Sequence, residues 1–201
     1  RGVLFLDELP EFDQKVIEAL REPLESKEVS IARARFKIDF PADFQLIAAM
    51  NSCPCGWIGH AENKCRCRAD QIERYQGRLS GPLMDRIDLA VSITESEKNW
   101  LDLAPGEASD TVKIRVTTVR DIQIQRQNCA NADLPVSLID EMCPMTLQAR
   151  QLLEKVVQFD RLSARSIQKV RRVARTCADL AGCKCIDVAH LAEAFQFRLR
   201  R

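Results

Sequence analysis

Little net charge survives in this 201-residue chain: 30 Lys and Arg stand against 29 Asp and Glu, leaving +1 at pH 7. A chain-wide charge for binding a polyanion is excluded, though a local patch is not. No run approaches the ~18 consecutive apolar residues that a membrane span needs, so no membrane partner is expected. Position 1 is not Met, and no basic-then-apolar leader follows. No signal peptide is therefore expected, and a cytoplasmic protein is. The chain opens on Arg1 directly before an apolar run, the pattern of a fragment cut from something longer. Internal repeats and low-complexity tracts are absent as well. Against these absences, 46% hydrophobic and 29% charged residues describe a globular protein with enough chain for a core. Nine Cys is high, but the chain is too long and core-rich for a disulfide miniprotein.

The balanced total hides an asymmetry. Residues 161–201 carry 10 basic and 3 acidic side chains. That excess suits either a phosphate-rich partner or a solvated helix face. Gly2 to Leu6 is a continuous apolar run that reads as a buried parallel strand, with Asp7 and Glu8 at its carboxyl end. Asp13 can cap a helix to about Leu24, its last turn bent by Pro23. Residues 29–40 alternate as a strand or hairpin, Phe44 to Met50 is a second buried strand, and Ile87 to Ile93 a third. Residues 103–110 (LAPGEASD) form the best linker. Thr146, Ser163 and Asp187 can each cap a later helix, and Gly182 can stop the second of these. The order is strand-rich first and all-helical second.

A strand ending in Asp-Glu has a direct chemical use. Open parallel sheets collect ligands at the carboxyl ends of their strands. A carboxylate there can hold Mg²⁺ beside a nucleotide's phosphates, and the next can polarise an attacking water. Asn51 closes the second strand and can orient that water, or it can simply start a turn. Arg86 precedes the third expected strand on a surface turn, where it can reach a phosphate held by a neighbouring subunit.

Taken together, GVLFLDELPEF (2–12), IAAMNSCPCG (47–56), CRCRADQIERYQGRLSGPLMDRIDL (65–89) and LSARSIQKVRRVARTCADLAG (162–182) resemble AAA+ ATPases of the magnesium-chelatase-like group, ComM/YifB family. The resemblance spans almost the whole chain. It implies an α/β fold: a partial P-loop core over residues 1–102, a linker at 103–110, and a helical lid over 111–201. It implies Walker B roles for Asp7 and Glu8, with Mg²⁺ at Asp7. Asn51 is then sensor 1, Arg86 an arginine finger acting in trans, and Arg165 sensor 2. It further implies ATP as cofactor, a hexameric homo-oligomeric ring, and DNA as the substrate of a helicase acting in branch migration. No G-x-x-x-x-G-K-[ST] loop occurs in the sequence. The phosphate cradle is therefore missing, and the chain alone is expected neither to bind ATP well nor to hydrolyse it.

Three basic features stand beside this. Arg165 sits in the first turn of its helix, where a cation opposes the helix dipole and needs an anion, either phosphate or carboxylate. Lys169, Arg171, Arg172 and Arg175 continue along that helix and suit nucleic acid, a neighbouring subunit or solvent. Arg33, Arg35 and Lys37 alternate along the hairpin. They share one face if the strand runs straight, or crowd the tip if the turn falls inside Ala32–Phe36. Either arrangement suits phosphate-backbone contact, and an edge strand guarded by charge is the alternative. In related helicases a basic hairpin residue projects into the ring channel, and Arg33 matches it best.

Cys53 and Cys55, then Cys65 and Cys67, form two C-x-C pairs. Four thiolates can hold a structural Zn²⁺, with His60 a spare ligand, or the thiols remain reduced and unligated. Cys183 and Cys185 read as small packing residues, and His190 as an ordinary helix-face residue. Two other functions compete with the DNA motor. One is a motor subunit that drives metal insertion into a porphyrin; the other is a non-catalytic zinc-bearing interaction module.

Overall fold

The structure, a computed structural model, describes residues 2–33, 36–59, 64–93 and 105–198. The chain separates into two compact units, residues 1–87 and 88–201. The first is α/β with a parallel strand pair, and the second is helical. No helix among the described residues is long and apolar enough to cross a membrane.

In the first unit β1 (Gly2–Leu6) pairs in parallel with β4 (Phe44–Ala48), Leu4 facing Leu46 and Leu6 facing Ala48. Between them lie α1 (Gln14–Ala19), α2 (Arg21–Ser26) and an antiparallel hairpin of β2 (Glu28–Arg33) and β3 (Phe36–Pro41). Asp13 caps α1 by accepting the Lys15 N–H. The expected single helix to Leu24 is instead broken at Leu20. Pro23 has no N–H for the Ala19 carbonyl, so the chain restarts with Pro23 in the new first turn. One face of the β1–β4 pair meets a core of Leu9, Ile17, Leu79 and Leu83, with Leu6, Leu20 and Leu24 against it. Truncating fully buried Ile17 to Ala removes about 2–5 kcal/mol from this core. The other face is open, with Val3 64% and Phe5 59% exposed. The expectation of strands buried on both sides is thus corrected: alternate residues face opposite ways, and only one side is covered among the described residues.

The expected third strand at 87–93 does not form, and Ile93 is 94% exposed. A strand needs a neighbour's N–H and C=O groups. Among the described residues, 88–93 pair with no strand; the Ala90 N–H instead bonds the Phe197 carbonyl at 2.8 Å.

The second unit contains α5 (Ser109–Gln127), α6 (Ile139–Met142), α7 (Leu147–Asp160), α8 (Ala164–Leu180) and α9 (Val188–Gln196). Thr146, Ser163 and Asp187 cap α7, α8 and α9 through their side-chain oxygens. Gly182, at φ 68°, closes α8 as the Cys183 N–H reaches back to the Ala178 carbonyl at 2.8 Å. Val170, Ala174 and Ala178 of α8 meet Leu153 of α7 and Leu191 of α9 in one core. Two readings of single residues are corrected here. His190 is buried and completes a capping box, its Nδ1 accepting the Asp187 N–H at 3.2 Å. Cys183 and Cys185 are exposed rather than packed, because they lie in the turn between α8 and α9.

Candidate functional site

Hydrogen bonding carries the β1–β4 pairing beyond the strands. The Ala49 N–H donates to the Leu6 carbonyl at 2.9 Å, and the Leu9 N–H donates to the Ala49 carbonyl at 3.0 Å. This places Asp7 and Glu8 alongside the chain that leads to Asn51. Both carboxylates are exposed. Asp7 Oδ1 accepts the Glu8 N–H at 2.9 Å. Glu8 adopts the left-handed region at φ 50°, ψ 43°, which costs a non-glycine residue about 1–2 kcal/mol. The tight turn into Leu9 and Pro10 imposes that conformation.

Two residues that motif reasoning passed over hold this corner. Tyr75, on α3 (Ala69–Gln76), is buried, and its phenol lies close enough to the Asn51 backbone to feel its dipole. Burial first, and the charge of Glu11 second, raise its pKa. Next to it, Gln76 Nε2 donates to the Ser52 carbonyl at 2.9 Å. Arg78 Nη1 donates to the Pro10 carbonyl at 2.8 Å and pairs with Glu11 at 3.2 Å, which pins the turn after the acidic pair. The available signal was modest: the chain's single Tyr, three residues before an Arg-Leu-Ser sequence.

Arg86 follows α4 (Gly81–Met84), a short turn capped by Ser80. Its side chain is 14% exposed, turned inward to the Glu25 carboxylate, and it donates to the Pro82 carbonyl at 2.7 Å. The buried Arg86 Nε has no protein acceptor. In this chain the guanidinium is thus held by its own subunit.

The hairpin register pairs Arg33 with Phe36 and Ala32 with Lys37. Directly opposed residues share a face and successive ones alternate. Arg33 therefore lies with Ile31, Phe36 and Ile38, whereas Lys37 lies on the opposite face and pairs with Asp39 at 3.5 Å. The single-face arrangement is corrected, since the chain reverses between Arg33 and Phe36. Arg35 and His60 lie outside the described residues.

The four clustered cysteines do come together, their Sγ atoms all within 4.8 Å of one another. Cys55 has its pKa lowered to about 6, chiefly by a hydrogen bond from the Trp57 backbone.

Arg165 is exposed in the first turn of α8. The cations after it are engaged within the second unit. Lys169 pairs with Asp88 at 3.7 Å, and Arg171 with Asp140 at 2.6 Å. Arg172 Nη2 donates to the Leu134 carbonyl at 2.7 Å. Arg175, 1% exposed, pairs with Asp179 and donates to the Lys184 carbonyl at 2.6 Å. The basic stripe is a set of internal cross-links and not an open nucleic-acid surface.

Comparison with known proteins adds an independent line. The sequence model described as "Magnesium chelatase, subunit ChlI" matches residues 1–101, and "Magnesium chelatase, subunit ChlI C-terminal" matches residues 106–198. The chain is 44% identical over 199 residues to the "Uncharacterized protein YifB" of Escherichia coli, covering 98% of this chain and 39% of that protein. It is 45% identical over 199 residues to the "Competence protein ComM" of Haemophilus influenzae, with the same coverage of each. A Mycobacterium bovis protein is 37% identical over 202 residues, covering 98% of this chain and 40% of its own length. The chain thus spans about two fifths of the relatives it matches.

Proposed function

Because the chain belongs to the magnesium chelatase subunit ChlI family, we propose that it is the Walker B-to-lid portion of an AAA+ ATPase whose whole form turns ATP hydrolysis into DNA remodelling. The observation that supports this reading is the backbone pairing of Leu6 and Leu9 with Ala49, which runs the acidic pair alongside the chain that leads to Asn51.

The chemistry of the donors fits the expected ion. Mg²⁺ takes oxygen ligands, keeps several waters, and needs only one or two protein carboxylates when phosphates are present. Asp7 offers an exposed carboxylate and would hold the ion, whose charge then offsets that of the phosphates. Glu8, whose carboxylate is exposed just past the strand end, accepts the proton of the attacking water. Asn51 orients that water through its amide, steadied by Tyr75 behind its backbone. Arg86 and Arg165 stabilise phosphate charge, Arg86 in a neighbouring subunit of a hexameric ring after exchanging Glu25 for phosphate. ATP binding needs the phosphate-cradling loop that the chain lacks, so the 201 residues alone neither bind ATP well nor hydrolyse it.

DNA as the moved substrate is supported by the hairpin, where Arg33 stands exposed at the last strand pair before the turn, and by the relative named as a competence protein. The family's own description favours a second reading, a motor for metal insertion. ATPase assay of the longer protein separates them. Branched or single-stranded DNA is expected to stimulate turnover, and stimulation by a chelatase partner with indifference to DNA would reverse the choice.

A further inference from the structure

We propose that Cys53, Cys55, Cys65 and Cys67 form a structural Zn²⁺ site that clamps the segment bearing Asn51 to the start of α3.

The sulfur geometry is the first argument. Cys53 Sγ lies 3.5 Å from Cys55 Sγ and 3.7 Å from Cys65 Sγ, and Cys55 Sγ lies 3.6 Å from Cys65 Sγ. A tetrahedron with Zn–S bonds of about 2.3 Å has edges of about 3.8 Å. A disulfide requires sulfurs about 2.05 Å apart, so these separations are those of ligands around one centre and not of oxidised pairs. Four thiolates fill a tetrahedral site and leave no open position, which makes the ion structural. Soft all-sulfur coordination selects Zn or iron–sulfur chemistry over Mg²⁺ or Ca²⁺.

Backbone groups of Trp57 and Arg66 lie toward Cys55, that of Cys67 toward Cys65, and that of Cys55 toward Cys67, each favouring negative charge on the sulfur. Backbone groups so placed orient metal ligands and offset their charge. Four thiolates around Zn²⁺ carry a net −2, and Lys64, Arg66 and Arg68 interleave with the second pair of cysteines. Lys64 Nζ also sits 5.2 Å from the Trp57 ring, a cation–π contact that joins the two halves of the loop.

Position gives the site its role. Cys53, fully buried, follows Asn51 by two residues, and Cys67 immediately precedes Arg68, the N-cap of α3. One ion therefore fastens the exit of β4 to the start of α3, the helix whose Gln76 bonds the Ser52 carbonyl. Gly56, inside the loop, runs so near Asn51 that an added Cβ would lie 3.8 Å from its Cγ. The clamp fixes the backbone around Asn51 whatever that amide does; its value to a nucleotide site rests on the function proposed above.

Elemental analysis of the purified chain after gel filtration tests the site, with hydrogen exchange testing the clamp. One zinc per chain is expected, lost in Cys67→Ser and retained in Cys185→Ser. Cobalt substituted for zinc is expected to give the intense visible bands of tetrahedral thiolate coordination. Chelation is expected to speed exchange across residues 49–56 and 67–76 while leaving α7 to α9 protected. Iron in place of zinc, or substoichiometric metal with all four thiols open to alkylation, overturns the site. Zinc at one equivalent with exchange at 49–56 unchanged by chelation overturns the clamp. None of these readouts involves ATP, so an inactive motor and an absent metal centre give separate results.

Discussion

The Arg86 guanidinium is bound to the Glu25 carboxylate, joining the end of α4 to α2 across the first unit. The one arginine whose motif suggests action on a neighbouring subunit thus rests on its own. Glu25 is about half exposed, which limits the pair to about 1 kcal/mol of stability. Glu25→Gln in the longer protein is expected to lower Tm slightly and to leave ATP turnover near the parent value. Arg86→Ala is expected to cut turnover about 10³–10⁵-fold. Rings that mix Arg86→Ala with Glu8→Gln subunits are expected to regain activity at the junctions that pair one intact acid with one intact arginine. Mixed rings as inactive as either parent would place both residues in the same subunit's site.

Asp179 is the second paired centre and has no part in the chemistry. Its carboxylate, 5% exposed, takes Arg126 Nη1 at 2.6 Å, Asn131 Nδ2 at 2.8 Å and Arg175 Nε at 3.1 Å. Asp179→Ala strands two guanidiniums and is expected to cost about 3–5 kcal/mol, read by urea denaturation followed through helical circular dichroism.

The same carboxylate sets a pH dependence. Burial alone would raise the Asp179 pKa, but hydrogen bonds from Arg126 and Asn131 and the charge of Arg175 outweigh it and leave the pKa lowered. A carboxylate with a folded pKa below its unfolded value stabilises fully above the unfolded value, about 3.9. That contribution fades as pH falls through the folded value. Thermal scans are expected to show constant Tm from this source above about pH 5 and a decline below about pH 4. The decline should be shallower in Asp179→Asn; an identical acid profile in that variant would remove the assignment.

Much of this was legible because it is local chemistry. The caps at Asp13, Thr146, Ser163 and Asp187, the stop at Gly182 and the hairpin each follow from a few neighbouring residues. The acidic pair at a strand end was equally plain. What escaped depends on distant partners. The cations of α8 read as a surface stripe because nothing nearby in sequence reveals Asp140, the Leu134 carbonyl or Asp88 as their partners. Residues 87–93 have the composition of a strand without a strand beside them among the described residues. Tyr75 belongs to no motif, and only folding puts it behind Asn51.

Arg33 makes the hairpin testable. It is exposed and lies on the opposite face from Lys37. Arg33→Ala in the longer protein is expected to weaken DNA binding and to flatten the plot of log affinity against log salt by about one unit of slope. Unchanged affinity at every salt concentration would take the hairpin out of the DNA path.

ATP binding and turnover by the longer protein carrying Glu8→Gln test the whole reading most directly. The substitution keeps the size of the side chain and removes its ability to take a proton. ATP is expected to bind as in the parent while hydrolysis falls about 10²–10⁴-fold. Parental turnover in that variant would contradict the proposed site.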